Sequence, residues 1–381
     1  MNIALIYNEK KVGTGAHYIN DLIAAKLKHA GTVVKNFYPK VSLDAVPPHL
    51  AGIKNILFFF SLLERRKEIL KYQLIQGTTY TPLPFLAYPV PVITHCGSTT
   101  RGFLNATPLA AKLEPETRKI WYTLRKDNVL DELNLKTRRP LRDIADIEEY
   151  VADRAAAVIA TSEKVRGELV GAGIAREKIH LIHNVIEDYW FEYAAETVDA
   201  CEKPSIVFLG RMGANAFTLK LKGVDRLIGL YQRFPETPKR TFCISTNKSL
   251  MEWLRTRVRE HRVYANIKKD LLPDLLRPLY GSVLFIPSRY EGFSLSLIEG
   301  MSQGLIPVAY DVGVVPEVIV QGENGYIVRS QTEAFRWAQE LLTNRPLRQR
   351  LAANARRTAL RFRSETIVSP LIQLYKTILG Q

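Results

Sequence analysis

Two glutamates, Glu291 and Glu299, lie eight positions apart in the run Ser288-Arg-Tyr-Glu-Gly-Phe-Ser-Leu-Ser-Leu-Ile-Glu-Gly-Met301. The stretch before this run is apolar and strand-like, and apolar residues inside it recur at helical spacing. The sequence therefore predicts a strand, a turn at Glu291-Gly292 and a helix that carries Glu299. The unpaired backbone N–H groups at the start of such a helix hold anions well.

The spacing of the two carboxylates decides between two kinds of chemistry. Eight residues of helix span roughly 12 Å at 1.5 Å per residue, whereas the paired carboxylates of glycosidases lie roughly 5–9.5 Å apart. An acid–base pair acting on one bond is therefore disfavoured. The arrangement suits a clamp on a ligand that has a phosphate in its middle and hydroxyls at both ends, which is the shape of a nucleotide sugar.

Two basic residues lie at the ends of predicted secondary-structure elements earlier in the chain. Arg211 follows the predicted strand Ser205–Leu209, and Lys222 precedes the predicted helix Val224–Arg233. Arg offers a planar fork for phosphate oxygens and Lys a compact charge. Such a pair can offset the charge of a pyrophosphate leaving group without a metal. For either residue alone, a surface ion pair is the simpler interpretation.

Two other positions are candidates for ligand contact. His95 ends a predicted strand just before Gly97, so a ligand contact and a structural role both stay open. Gly13 and Gly15 follow the first strand and allow a close approach of backbone to a ligand. They are not a dinucleotide fingerprint, because Tyr18 occupies the third glycine position and the preceding loop is too long. The seven histidines show no metal-ligand spacing.

Composition narrows the class of protein. The 381 residues are enough for two domains, and 46% hydrophobic with 24% charged residues is typical of a soluble globular protein. The three cysteines form no CxxC pair, which indicates reduced thiols and a cytoplasmic location. The first residues read as a β-strand rather than a signal peptide. No apolar run reaches the length of a membrane-spanning helix.

The formal net charge of +15 favours anionic partners. Basic residues are dense between Arg118 and Arg142, with Trp121, Tyr122 and Leu124 interleaved. This stretch is either a solvated helix and loop or a surface for a phosphate-bearing or membrane-held acceptor. No nucleic-acid-binding motif accompanies it, so nucleic acid is not an expected partner.

The order of predicted elements is strand then helix throughout, in two series that meet near residues 186–204. This order predicts an α/β protein with two doubly wound, Rossmann-like domains that face each other across a cleft. We expect an N-terminal domain at residues 1–186, a C-terminal ligand-binding domain at 187–361 and a closing helix at 362–381 that returns to the N-terminal domain.

These motifs resemble those of the retaining glycosyltransferases of the GT-B fold, family 4 (glycosyl transferases group 1). The residues that carry the resemblance are Ser288–Glu299, Gly304–Val308, Gly313, Pro316–Val318, Gly322–Gly325, Gly210-Arg211 with Lys222–Asp225, Val158–Ser162 and Ile182–Asn184. The match covers nearly the whole chain and is weak between Lys40 and Glu149, where acceptor recognition would lie. The chain departs from the family pattern at two positions. Gly300 replaces the usual alanine, and Gly313 stands alone where the family has two glycines. The second difference affects the loop near the donor sugar, and so mainly the identity of that sugar.

The resemblance implies roles for the site residues. Arg211 and Lys222 would hold the diphosphate of the donor, together with the N–H groups of Phe293, Ser294 and Leu295. Glu299 would bind the ribose, Glu291 the donor sugar, and Gly15 and His95 would lie close to the donor. The catalytic set would be Glu291, His95, Arg211 and Lys222.

The implied function is transfer of a hexose from a UDP- or GDP-sugar to a glycan or lipid-linked acceptor, in polysaccharide or glycolipid biosynthesis. Configuration would be retained by a same-face attack, without a metal or other cofactor. The expected location is cytoplasmic, with attachment to an anionic membrane surface as a further hypothesis. The alternatives are a phosphorylase or nucleotide-sugar epimerase of the same fold, and a non-catalytic nucleotide-sugar-binding protein. The donor sugar, base, acceptor, linkage and oligomeric state are not specified by the sequence.

Overall fold

The structure is a computed structural model. It describes residues 1–8, 15–40, 54–108, 112–130, 138–192, 198–213 and 215–381. Among these residues, no helix combines the length and the apolar character needed to cross a bilayer.

The first sheet contains six parallel strands in the order β2-β1-β3-β4-β5-β6. Its strands are β1 (Asn2–Ile6), β2 (Val33–Phe37), β3 (Leu74–Thr78), β4 (Val92–Cys96), β5 (Ala157–Ala160) and β6 (Ile179–Leu181). Its helical connections are α1 (Gly15–His29), α2 (Lys54–Leu63), α3 (Arg66–Ile69), α4 (Thr100–Ala106), α5 (Pro115–Lys126), α6 (Arg138–Arg154) and α7 (Glu163–Gly171). Central strands such as β4 are buried along their whole length, as parallel strands covered on both faces must be.

The second sheet also contains six parallel strands, in the order β12-β11-β10-β7-β8-β9. Its strands are β7 (Ile206–Arg211), β8 (Lys239–Ile244), β9 (His261–Ala265), β10 (Val283–Ile286), β11 (Ile306–Tyr310) and β12 (Tyr326–Val328). Its helices are α8 (Ala216–Leu221), α9 (Val224–Arg233), α10 (Lys248–Arg257), α11 (Leu272–Leu276), α12 (Leu295–Ser302), α13 (Val315–Val318), α14 (Gln331–Thr343) and α15 (Arg345–Ala359). The last helix of the chain is α16 (Val368–Leu379). The prediction of two doubly wound α/β sheets is confirmed.

The chain divides into two compact units. Unit 1 comprises residues 1–101, 140–185 and 364–381, and unit 2 comprises residues 102–139 and 186–363. The expected domains assigned the segment that carries α5 to the N-terminal domain, whereas here α5 packs with the second sheet. In unit 1, Tyr375 of α16 donates a buried hydrogen bond from Oη to Gln76 Oε1 of β3 at 2.8 Å.

The helix α5 shows what the basic stretch does. Ile120, Trp121 and Leu124 are buried in the same hydrophobic core as the second sheet, and α5 packs against α9. The indole Nε1 of Trp253 on α10 donates to Asp127 Oδ2 just after α5, at 2.7 Å. Two of the interleaved apolar residues therefore anchor this helix, while its basic residues Lys119, Arg125 and Lys126 stay exposed.

The structure differs from the sequence pattern at several elements. Residues 56–72 have the pattern of one helix, whereas the structure divides this stretch between α2 and α3. The turn predicted at Glu291-Gly292 extends to Ser294, so that α12 begins at Leu295. The strand β9 was not predicted, because its alternation of polar and apolar residues is short and follows a helix directly.

One glycine fixes how the second sheet approaches the start of α9. Gly223 precedes this helix with φ +64°, and a Cβ on it would lie 1.9 Å from the carbonyl oxygen of Pro287, just after β10. Only glycine fits both the left-handed backbone and the missing space. The loop after β10 can therefore pack directly on the residue that follows Lys222.

We predict that Gly223→Ala lowers the free energy of unfolding by about 2 kcal/mol or more, from backbone strain plus overpacking. Gly322→Ala is the matched control in the same unit, since Gly322 has φ +76° but nothing within 4 Å of its Cβ position. The control should show only the strain component. Equal losses in urea unfolding of the two variants would contradict the close approach.

Candidate functional site

The predicted site residues of unit 2 gather at the carboxyl ends of β7 and β10. These two strands are neighbours, and the strand order reverses between them. In open α/β sheets, ligands bind in the crevice at such a switch point. Arg211 ends β7 and is exposed there, and the loop from Ser288 to Ser294 joins β10 to α12.

A buried ion pair attaches this loop to the start of α9. The Arg289 guanidinium donates from Nη1 and Nη2 to the two carboxylate oxygens of Asp225, at 2.7 and 2.6 Å. Its Nη1 also donates to the carbonyl oxygen of Lys220, and its backbone N–H donates to that of Leu221. Asp225 is fully buried, and the Arg289 side chain is 8% exposed. The bidentate geometry fixes both direction and distance.

The attachment brings Lys222 and Glu291 into contact. Lys222 Nζ donates to Glu291 Oε1 at 2.7 Å, and Ser288 Oγ donates to the same oxygen, also at 2.7 Å. Both charged side chains are mostly buried, at 25% and 14% exposure. The structure thus places a cation expected to hold phosphate beside the carboxylate expected to hold sugar.

The start of α12 has an unusual backbone. Ser294 precedes the helix with φ +88° and ψ +73°, a left-handed conformation that costs a non-glycine residue of order 1–3 kcal/mol. Its Oγ is buried and has no hydrogen-bond partner among the described residues. Gly313 packs beneath this turn, since a Cβ on it would lie 2.7 Å from the Phe293 carbonyl oxygen. A strained residue with an unpaired buried hydroxyl at a helix start is a feature of ligand-binding turns.

Glu299 lies inside α12 and belongs to a buried charge cluster that we call the Lys269 triad, consisting of Glu187, Lys269 and Glu299. Lys269 Nζ donates to Glu187 at 2.8 and 2.7 Å and lies 2.9 Å from Glu299 Oε1. The three side chains are at most 15% exposed. A carboxylate oxygen has more than one lone pair, so Glu299 Oε1 can accept a further hydrogen bond beside its contact with Lys269.

The triad carries one net negative charge, because it contains two carboxylates and one ammonium. Burial raises the pKa of Glu299, and the Lys269 ammonium acts against that shift. Burial alone would lower the pKa of Lys269, but Glu299 and Glu187 together raise it. Lys269 therefore stays charged and helps to keep Glu299 in its carboxylate form. A carboxylate held this way is an acceptor suited to hydroxyl donors.

The remaining predicted residues are in unit 1. His95 lies in β4, is 6% exposed, and burial lowers its pKa to about 4. It is therefore a neutral imidazole, and its Nε2 has no hydrogen-bond partner in the described residues. Gly15 is the first residue of α1, whereas Gly13 lies outside the described residues.

Sequence reasoning missed several residues that the structure brings into the site. Asp225 and Arg289 stand inside the quoted motifs but had no assigned role, and Lys269 follows a strand that was not predicted. Apart from this site, Glu148 of unit 1 also had no assigned role; it accepts hydrogen bonds from Thr100 at 2.7 and 2.8 Å, and burial raises its pKa to about 7. The one sequence feature that could have indicated a role for Asp225 and Arg289 is their position, since Asp225 lies three residues after Lys222 and Arg289 two residues before Glu291. Within the described residues, no group of three or more metal-binding side chains occurs.

Two family models match the chain. Residues 25–188 match Glycosyltransferase Family 4, and residues 198–358 match Glycosyl transferases group 1. The first match covers β2 to β6 of the first sheet, and the second covers β7 to β12, the whole of the second sheet. Together they account for most of the chain.

Curated relatives and solved structures agree with these matches. The D-inositol 3-phosphate glycosyltransferase of Jonesia denitrificans is 29% identical over 260 residues, which are 60% of this chain and 58% of that protein. The matches to the first curated relatives span between about half and two thirds of their length. Sucrose-phosphate synthase from Thermosynechococcus elongatus has a TM-score of 0.74 at 16% identity, with both chains fully covered. Anabaena HepE, solved with UDP-glucose, has a TM-score of 0.67 at 15% identity, covering 98% of this chain and 99% of that one. These structures confirm the GT-B fold.

We predict that Lys269→Met destabilises the protein by about 3 kcal/mol near pH 8, because two buried carboxylates lose their cation. Without the Lys269 ammonium, burial would raise the pKa of Glu299 in the folded variant further above its unfolded value. A raised folded pKa contributes stability at low pH that is lost as pH rises. The penalty in urea unfolding should therefore shrink towards about pH 5.

The neighbouring exposed residue provides the control for this prediction. Lys268→Met removes the same charge from the surface and should stay within about 0.5 kcal/mol of the parent protein at every pH. A pH-independent penalty for Lys269→Met, or one matched by Lys268→Met, would show that Lys269 does not stabilise the buried carboxylates.

Proposed function

The chain belongs to glycosyltransferase family 4, and on that premise we propose that it transfers a sugar from a nucleoside-diphosphate donor to an acceptor. The observation that carries the proposal is the contact of Lys222 with Glu291 at the switch point of the second sheet. A cation for phosphate and a carboxylate for sugar hydroxyls stand side by side there, next to the start of a helix.

The diphosphate of the donor would bind between β7 and α12. Arg211 and Lys222 would offset its charge, and the N–H groups of Phe293, Ser294 and Leu295 would donate hydrogen bonds to its oxygens, as a helix start does. The unpaired Ser294 Oγ supports this placement, because a phosphate oxygen would give the buried hydroxyl a partner. Two fixed cations stabilise a leaving diphosphate electrostatically, so the proposed reaction uses no metal or other cofactor.

The two ends of the donor would bind the two glutamates. Glu299 would accept hydrogen bonds from the ribose hydroxyls, which the remaining acceptor capacity of its carboxylate and the formal net negative charge of the Lys269 triad support. Glu291 would accept from the donor sugar. A sugar hydroxyl is a neutral donor, so it can share Glu291 with Lys222 without separating the ion pair.

We propose that the anomeric configuration is retained through attack on the face from which the diphosphate leaves. The leaving phosphate would take the proton of the acceptor hydroxyl, so that no protein nucleophile is required. His95, neutral because of its burial, would offer Nε2 to the donor sugar, and Gly15 would lie against the donor. The donor base would be uracil or guanine.

The acceptor is proposed to be a glycan or a lipid-linked sugar in polysaccharide or glycolipid biosynthesis, met at the cytoplasmic side of a membrane. Exposed basic and aromatic residues of α5, namely Lys119, Tyr122, Arg125 and Lys126, support contact with an anionic surface. Cationic side chains near such a surface each contribute about 1 kcal/mol.

A product assay separates the proposed reaction from its alternatives. The protein is incubated with UDP- or GDP-sugars, with and without glycan and lipid extracts, and the nucleotide and sugar products are resolved. A transferase releases nucleoside diphosphate in proportion to glycosylated acceptor. A phosphorylase instead needs orthophosphate and forms sugar 1-phosphate, an epimerase changes the sugar while it stays attached, and a binding protein leaves the donor intact.

We predict that Lys222→Ala weakens donor use by about 2 kcal/mol or more, close to 30-fold in kcat/KM, because a charge-assisted phosphate contact is lost. Lys248→Ala, which removes an exposed lysine from α10 in the same unit, is the control and should match the parent protein. Unchanged donor affinity and rate in Lys222→Ala would remove this residue from the site.

We also predict salt-sensitive binding to vesicles that contain anionic lipid. Flotation at low salt should recover the protein with the vesicles, and replacing Lys119, Arg125 and Lys126 with serine should reduce the recovery, because these exposed cations provide the attraction. Neutral vesicles serve as the control. Equal recovery with neutral and anionic vesicles, or none with either, would eliminate the membrane contact.

A further inference from the structure

A cavity of about 440 Å³ in unit 2 lies next to the site described above and shares the loop after β10 with it. We call it the Arg226 pocket. Its wall is formed by the carboxyl ends of β11 and β12, the start of α9, the loop after β10 and the residues before α5. The charged and aromatic side chains that matter here are Lys112, Glu114, Arg226, Tyr310, Asp311 and Arg329.

Arg226 is held firmly at the wall of this pocket. Its Nη1 donates to the carbonyl oxygens of Pro287 and Ser288, at 3.2 and 3.4 Å. Its guanidinium carbon lies 3.7 Å from the centre of the Tyr310 ring, in a stacked cation–π contact. A guanidinium fixed on both sides is preorganised, so a ligand need not order it on binding.

Among the residues that the structure describes, Arg226 forms no direct ion pair, and the carboxylates of Asp225 and Glu114 act on it only at longer range. The adjacent Arg289 is already balanced by Asp225. Burial, followed by the proximity of Arg289, lowers the pKa of Arg226. A partly desolvated cation beside a second cation is costly unless an anion is close, and the pocket leaves room for one.

We propose that the Arg226 pocket binds the oxyanion of a small, hydroxyl-bearing ligand, a sugar phosphate or a sugar carboxylate. Arg226 would hold the anion, with Lys112 and Arg329 adding positive charge from exposed positions. The exposed carboxylates of Glu114 and Asp311 would accept hydrogen bonds from ligand hydroxyls. The volume lies within the roughly 300–1,000 Å³ of small-molecule sites.

The pocket shares a loop with the donor site. Ser288 and Arg289 line the pocket, and Ser288 Oγ donates to Glu291. An anion bound to Arg226 would therefore lie against the loop after β10. The same loop carries Glu291, which is expected to hold the donor sugar. The source of the anion is either an anionic group of the acceptor or a free metabolite that regulates the enzyme, and the chemistry of recognition is the same.

The test uses the full chain and isothermal titration calorimetry with glucose 6-phosphate and glucuronate, with glucose as the uncharged control. We expect saturable binding of the two anions that weakens with added salt, and no binding of glucose. Lys112→Ser with Arg329→Ser should weaken anion binding roughly tenfold, and Arg226→Gln by more, since charge-assisted hydrogen bonds are lost. Lys119→Ser, on the same segment but outside the pocket, should bind as the parent protein does.

The double variant Lys112→Ser with Arg329→Ser changes only exposed residues, so it keeps the test valid if Arg226→Gln fails to fold. Absence of anion binding by the parent protein at millimolar ligand would overturn the proposal, as would binding that the double variant leaves unchanged. Because binding is measured without a nucleotide donor, this failure would leave the proposed transferase activity intact. A bound anion that is glycosylated in the presence of donor is an acceptor, and one that changes kcat or KM without being consumed is an effector.

Discussion

The site depends on one buried ion pair, Arg289 with Asp225. Asp225 lies in the first turn of α9, and Arg289 lies in the loop that follows β10. Removing one partner of such a pair strands a buried charge, at a cost of about 3–5 kcal/mol, so its value lies in fixing geometry rather than in net stability. Gly223 allows the same approach sterically. Lys222 and Glu291 are neighbours because the residues beside them are locked together.

Each carboxylate expected to bind ligand is paired with a lysine before any ligand is present. Lys222 holds Glu291, and Lys269 holds Glu299. These pairings fix the side chains of both glutamates in advance. On the proposed function, the two lysines then differ in role. Lys222 would bind the diphosphate of the donor. Lys269, which also contacts Glu187, would stay paired with Glu299 and keep it in position for the ribose hydroxyls.

Much of the fold and the centre of the site were predictable from the sequence. Apolar periodicity located nearly all of the strands, and the Ser288–Glu299 run contained both glutamates with their strand, turn and helix. The Lys222–Glu291 contact follows from element order, since the ends of neighbouring parallel strands must meet. The Lys269 triad did not follow, because its members are distant in sequence and join through side chains that only the tertiary structure brings together. The packing of α5 on the second sheet was also not predicted. An amphipathic pattern shows that one face of a helix is buried but does not indicate which sheet it packs against.

The proposed function requires that a nucleoside diphosphate binds along the loop between β10 and α12. A crystal structure of the chain with bound UDP or GDP tests it most directly. The account predicts diphosphate oxygens within hydrogen-bond distance of Lys222 Nζ and of the backbone at the start of α12, with the ribose hydroxyls on Glu299. A nucleotide bound elsewhere, with Lys222 still paired only with Glu291 and Glu299 only with Lys269, would contradict it.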